Sequence, residues 1–287
     1  MPLKIVPVIT PFKNNVLDMD ILREHCERLL NSGIDKVFLA GTNGLGISLD
    51  FSEKLKIINE LDIDGDKLII QIGSLNLEKS MELARAARAK GYFAIASVPP
   101  YYYSDLDENT IIRYFLDLSR HYKTIVYNYP KMTGHDVNAR MLKRIIDSGG
   151  DIIGVKDTVN DIMHMLEYKN IEDDLIVLAG PSTHIFSALR SGVDGTVSAA
   201  GNYMPNIFRY LSDHVYSNNA FKLQILINSV IDASAHFGIY SANYSLVKII
   251  KKYYCGEPRP PFYPLTESDE NNLEKIIKNI LKDGDNV

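Results

Sequence analysis

The sequence predicts a closed (β/α)8 barrel, the TIM-barrel fold, followed by a helical C-terminal extension, and three observations carry that prediction. Short apolar runs rich in β-branched residues recur through the first 200 residues, and there are eight of them. Stretches of helical spacing separate the runs, the order expected of parallel strands joined by crossover helices, and eight such units suit closure into a barrel. From about residue 205 the strand signal stops and three or four helices follow. A doubly wound open sheet is the competing architecture. The expected division is residues 1–204 for the barrel and 205–287 for an extension packed on it, one domain overall.

The strand runs are KIVPVIT (4–10), KVFLAG (36–41), KLIIQIG (67–73), FAIASV (93–98), TIVYNY (124–129), IIGVK (152–156), LIVLAG (175–180) and GTVSAA (195–200). Between them lie helical patterns such as DMDILREHCERLLNSG (18–33), SMELARAARAKG (80–91) and ARMLKRIIDSGG (139–150). Gly33, Gly91 and Gly149 close three of these segments, where a left-handed residue lets a helix stop. The proline-rich GEPRPPFYPL (256–265) reads as a surface connector with few backbone donors.

Composition excludes several classes of function. A net charge of -5 and a pI near 5.8 oppose a nucleic-acid or anionic-membrane surface, which calls for clustered Lys and Arg. No apolar run approaches the roughly 20 residues of a membrane span. The chain passes from Met1 directly into LKIVPVIT without a signal-peptide pattern, so a cytoplasmic location is expected. Cys26 and Cys255 suggest neither a disulfide framework nor a metal site. His25, His121, His135, His164, His184, His214 and His236 form no HExxH or Cys/His cluster, and are read as surface or satisfied core groups. No metal is expected.

In a parallel barrel the loops at the carboxyl ends of the strands build the site. Four of these ends are chemically distinctive: GTNGLG (41–46), PPYYY (99–103), YNYPKMTG (127–134) and GVKDT (154–158). Lys156 ends an otherwise apolar strand, and burial there would disfavour its charged form and free an amine able to attack a ketone. The ordinary alternative is a lysine that has already reached the surface. Asp157 should face the opposite way by strand alternation and is read as structural. Tyr127, on the preceding strand, can stand beside Lys156 and move a proton, although a half-buried aromatic needs no such role. Thr42 and Asn43 lie between glycines in a turn able to present donors to a small carboxylate, or simply to reverse the chain. Tyr101, Tyr102 and Tyr103 cannot all face inward, so one or more should reach a cavity or a partner subunit.

These segments in this order, with PVITPF (7–12), SANY (241–244) and PRPPFYPL (258–265), resemble the pyruvate-dependent class I aldolases related to dihydrodipicolinate synthase and N-acetylneuraminate lyase. The archaeal-type 2-keto-3-deoxygluconate aldolases are the most similar branch. The resemblance spans nearly the whole chain and implies a barrel enzyme, a homotetramer and no metal or organic cofactor. By position it makes Lys156 the Schiff-base lysine and Tyr127 the acid/base, with Thr42 in a hydroxyl relay completed by Tyr102 of a neighbouring subunit. Asn43 stands where relatives commonly carry a threonine that holds the pyruvate carboxylate, and its amide can still donate to an anion. Gly44 and Pro7 would shape the pocket, and Tyr129, Ser182 and Ser241 would contact sugar hydroxyls.

The implied reaction is reversible cleavage of 2-keto-3-deoxygluconate to pyruvate and glyceraldehyde. Met132 replaces the arginine of the synthase branch, which disfavours a second carboxylated substrate. Asp105 and Ala235 stand where relatives that accept the 6-phosphorylated sugar acid carry arginines, which points to the non-phosphorylated form. The rival readings are another aldehyde partner, a sugar-acid dehydratase using the same Schiff base, and a catalytically silent small-acid sensor.

Overall fold

The structure, a computed structural model, describes residues 1–284. All eight expected runs form strands of one closed parallel barrel. In chain order the elements of the first half are β1 (Leu3–Pro7), β2 (Phe12–Lys13), β3 (Val16–Leu17), α1 (Met19–Asn31), β4 (Lys36–Leu39), α2 (Phe51–Glu60), β5 (Leu68–Gln71), α3 (Leu77–Ala89), β6 (Ala94–Ser97) and α4 (Glu108–Ser119). There follow β7 (Thr124–Asn128), α5 (Pro130–Thr133), α6 (Ala139–Asp147), β8 (Ile152–Asp157), α7 (Ile162–Tyr168), β9 (Ile176–Ala179), α8 (Ile185–Arg190), β10 (Gly195–Val197) and α9 (Pro205–Asp213). Strands β4 to β10 run side by side in sequence order, and β1 closes the ring between β10 and β4.

The hairpin of β2 and β3 is outside the expected order. Its turn residues Asn14 and Asn15 both take positive φ, 52° and 65°, the backbone of a two-residue hairpin loop. The pair of asparagines in FKNNVL was the available signal.

Helix starts are written in the sequence. Asp18, Asp50, Asn76, Asp107, Asn138 and Asp161 each accept a backbone N–H of the following first turn, and at α2 Glu53 returns the bond to make a full capping box. Gly33, Gly91 and Gly149 take φ of 86°, 69° and 86°, the left-handed stops expected of them.

Two apolar layers follow from strand alternation. Ile5, Phe38, Ile69, Ala94, Ala96, Ile125, Leu178 and Val197 fill the inside of the barrel, while the larger cluster lies between strands and helices. One irregularity in β8 decides where the lysine goes. Thr124 pairs with Ile152 but Ile125 pairs with Gly154, so β8 holds one extra residue. Ile152 packs in the outer layer, Ile153 packs against the inner one, and Val155 is again outer. Without that bulge the alternation set by Ile152 would place Val155 inside and Lys156 outside.

The remaining helices are α10 (Ala220–Ala235), α11 (Ile239–Leu246), which continues as a π turn over Val247–Lys251, and α12 (Glu267–Gly284). Counting from residue 205 assigns α9 to the extension, yet α9 follows the eighth barrel strand and packs on α8 and β1, so it closes the helical ring. The proline-rich connector is pinned to the barrel. Arg259 donates to both carboxylate oxygens of Glu53 at 2.8 and 2.6 Å and to the carbonyls of Ser48 and Asn15, with its guanidinium 4.0 Å from the Phe12 ring centroid. Among the described residues no helix is long and apolar enough to cross a membrane.

The GTNGLG turn is locked by close packing. A Cβ on Gly46 would stand 1.6 Å from the Ala40 carbonyl oxygen, backbone that cannot step aside. Gly46→Ala is therefore expected to lose about 2–3 kcal/mol of stability through overpacking. Chemical denaturation checks this, and an unchanged midpoint would show that the turn yields.

Candidate active site

Lys156 sits in the centre of the carboxyl end of the barrel and is 4% exposed. Its register partner on β7 is Tyr127, so the two side chains stand abreast on the inner face. The Lys156 Nζ lies 3.5 Å from the centroid of the Tyr127 ring and 5.7 Å from that of Phe38. It donates to Thr158 Oγ1 at 3.3 Å. Burial drives the amine's pKa well below that of a free lysine, against the opposing pull of Asp157. The cause is desolvation among aromatic rings, and it favours the uncharged form of the amine.

The Tyr127 hydroxyl is 3.0 Å from Thr42 Oγ1, which comes from the loop after β4. Burial raises the phenol's pKa far above the ordinary value, and the bond to Thr42 opposes this in part. Such a phenol is not a standing phenolate, so it can take a proton only as it passes its own along. Thr42 and Thr158 are the hydroxyl neighbours of that phenol. Removing the Thr42 hydroxyl isosterically, Thr42→Val, should lower kcat roughly 10- to 100-fold with little change in KM. Steady-state kinetics of the variant test the relay, and an unchanged kcat would remove Thr42 from it.

The cavity around these groups holds about 460 Å³. Pro7, Thr42, Asn43, Tyr127, Tyr129, Lys156 and Ser182 all line it, so seven of the residues expected from sequence converge on one space. The Tyr129 ring stacks on Tyr127 with centroids 6.0 Å apart. Ser182 accepts from the Ala199 N–H and from Ser198 Oγ, both at 3.0 Å, which fixes its hydroxyl at the β9 end. Gly44 is not in the lining. Its carbonyl accepts from Thr10 Oγ1 at 2.6 Å, and a Cβ there would meet the Val8 carbonyl at 2.6 Å, so it shapes the turn from behind.

Two expected residues lie elsewhere on the chain. Ser241 lines a separate cavity of about 220 Å³ with Tyr244, Lys248 and Cys255. Tyr102 is 82% exposed on the protomer, held at φ 76° with its ring edge-on to Tyr103. Its side chain is free to meet another surface.

Several lining residues were not singled out from sequence. Thr158 stands in GVKDT and bonds the amine, while Lys131 comes from α5, Asn160 from the loop after β8 and Thr183 from a short 3-10 turn after β9. Ile231, Ile239, Tyr240 and Asn243 belong to α10 and α11 or the junction between them, which roof the mouth. Asn243 donates to Asn43 Oδ1 at 3.3 Å, joining roof to turn. The SANY segment was a visible signal for Asn243; the others show no special pattern. Among the described residues no group of three His, Cys, Asp or Glu side chains is arranged to hold a metal.

A parallel barrel that desolvates one lysine against a tyrosine, with a small donor turn opposite, defines the class of Schiff-base carbon–carbon lyases. More particularly, the chain belongs to the Dihydrodipicolinate synthetase family, which it matches over residues 3–280. It is 39% identical, over 98% of its own length and 96% of the relative's, to the 2-dehydro-3-deoxy-phosphogluconate/2-dehydro-3-deoxy-6-phosphogalactonate aldolase of Saccharolobus solfataricus. It is 35% identical to the 2-dehydro-3-deoxy-D-gluconate/2-dehydro-3-deoxy-phosphogluconate aldolase of Thermoproteus tenax, over 95% and 90% of the two chains. A crystal structure of a Sulfolobus 2-keto-3-deoxygluconate aldolase in complex with D-KDPG superposes with a TM-score of 0.92 at 37% identity, covering 98% of this chain and 97% of the other.

Proposed function

We propose that the protein is a pyruvate aldolase that reversibly cleaves 2-keto-3-deoxygluconate to pyruvate and glyceraldehyde through a Schiff base on Lys156. The observation that carries this reading is the desolvated Lys156 amine lying 3.5 Å over the Tyr127 ring at the mouth of the barrel. In this reading the amine adds to the keto carbon and water leaves, giving an iminium. The Tyr127–Thr42 pair accepts the carbon-four hydroxyl proton as the bond between carbons three and four breaks, and the iminium takes up the electron pair as an enamine. Glyceraldehyde departs. Protonation of the enamine and hydrolysis of the resulting iminium then release pyruvate and restore the amine. The carboxylate of the keto acid is held at the Asn43 turn, with Pro7 and Gly44 shaping the space and Tyr129 and Ser182 meeting sugar hydroxyls. Ser241, in its separate cavity, does not support the contact first assigned to it.

The same reading includes a cytoplasmic homotetramer in which Tyr102 enters the relay of a neighbouring subunit. The exposed Tyr102 ring supports that assembly. We place the non-phosphorylated sugar acid as the preferred substrate because none of the described residues lining the cavity is arginine. Neither Asp105 nor Ala235 lines it, whereas Lys131 does, so discrimination against phosphate comes from the missing arginines rather than from Asp105 repulsion. Turnover of the two sugar acids decides this, and equal kcat/KM would overturn the preference. Borohydride reduction with pyruvate should add one adduct, at Lys156. An adduct without cleavage of any sugar acid would instead mark a sensor.

A further inference from the structure

Behind the catalytic pair, on the outer face of the same two strands, lies a second constellation. Asn128 follows Tyr127 and Asp157 follows Lys156, and these two residues are also register partners. The Asn128 Nδ2 donates to Asp157 Oδ1 at 3.0 Å and to Asp136 Oδ1 at 2.8 Å. His164, on α7, spans the two carboxylates, with Nδ1 2.8 Å from Asp157 Oδ2 and Nε2 3.2 Å from Asp136 Oδ2. Asp157 is fully buried.

We propose that His164, clamped between Asp157 and Asp136, is a positioning residue for Lys156, offsetting the carboxylate next to the lysine in the strand and so favouring the uncharged amine. The proposal rests on the Schiff-base reading for its purpose and on the clamp geometry for its existence. With an acceptor at each ring nitrogen, both nitrogens must donate, which is the hydrogen-bonding pattern of the imidazolium. The Asp136 and then the Asp157 hydrogen bonds accordingly raise the His164 pKa to about 10. Loss of that cation leaves Asp157 uncompensated and strengthens its pull toward the lysine's ammonium form.

Few other groups face the assembly. On the Lys156 side they are Tyr127, Tyr129, Lys131, Tyr203 and Tyr240, and on the His164 side Tyr168 and Glu167 of α7. Burial raises all five of these phenols above their ordinary range, so they stay neutral in the acid limb.

The test reads the titration of Lys156 without any substrate, by competitive acetic anhydride labelling across pH in the intact protein, with mass spectrometry at residue 156. His164→Gln should move the midpoint up by about one pH unit, and Asp157→Asn should move it down. His164→Lys, which keeps a cation, should hold closer to the wild type than His164→Gln does. Should His164→Gln not fold, His164→Asn takes its place as the neutral variant, where an upward shift supports the clamp and the wild-type midpoint overturns it. A folded His164→Gln protein with the wild-type midpoint would reduce the clamp to a structural tie and overturn the proposal. The acid limb of pyruvate adduct formation should follow the same shifts. A wild type whose Lys156 is acetylated as described but never captured by pyruvate would defeat the Schiff-base reading while leaving the clamp intact.

Discussion

Lys156→Met is expected to abolish turnover, with kcat reduced about 10⁴-fold or more, and to abolish the borohydride-trapped pyruvate adduct, because Lys131, the other lysine among the described lining residues, is exposed and does not stand on the Tyr127 ring. The same substitution should raise the thermal midpoint at neutral pH. The wild-type lysine is 4% exposed, and burial depresses its pKa in the folded state. The unfolded chain therefore binds a proton there that the folded chain does not, over the window from the depressed folded value up to the ordinary lysine value. In that window wild-type stability rises with pH. Methionine fills similar space and has no charge to desolvate, so the variant gains most at low pH and least as pH approaches the free-lysine range. Differential scanning calorimetry across pH checks both the sign and the trend. A variant less stable than wild type at neutral pH would mean that the lysine makes compensating contacts beyond the 3.3 Å bond to Thr158 and the Tyr127 ring.

The opposition between stability and chemistry explains which parts of the molecule were legible in the sequence. The barrel was, because its strands are short apolar runs of three to six residues and α1, α3 and α6 each carry their own start and stop; even the left-handed Gly33, Gly91 and Gly149 follow from local rules. Lys156 was legible because it violates those rules, an ammonium at the end of an apolar strand. Its orientation was not. The extra residue in β8 that turns Lys156 inward depends on pairing with Thr124 and Ile125, and GVKDT looks the same with or without it.

The roof of the cavity was equally hidden. Ile231, Ile239 and Tyr240 carry ordinary helix residues, and their role comes from where α10 and α11 come to rest. The Asp157–His164–Asp136 clamp joins positions 21 and 28 residues from Asp136, so no local pattern announces it, and His164 stands in the sequence outside any metal or catalytic motif.

The second large effect falls on Tyr127. Tyr127→Phe should lower kcat by about 10²- to 10⁴-fold while leaving the Lys156 adduct with pyruvate in full yield. The two readouts separate because the phenyl ring that Lys156 packs against is kept and only the hydroxyl is lost. The amine stays desolvated on the ring face, so iminium formation survives. Carbon–carbon cleavage does not, since the carbon-four hydroxyl proton loses its acceptor and Thr42 loses the partner 3.0 Å away. Stability should fall by only about 1 kcal/mol, the scale of one buried hydroxyl pair broken with Thr42 left beside the cavity. Measured together, adduct yield, kcat and the unfolding midpoint separate proton transfer from packing. A variant that forms the adduct and still cleaves the sugar acid at the wild-type rate would hand the proton to Thr42 or to the substrate itself and remove Tyr127 from the chemistry. Loss of the adduct along with kcat would make the hydroxyl part of what positions the lysine.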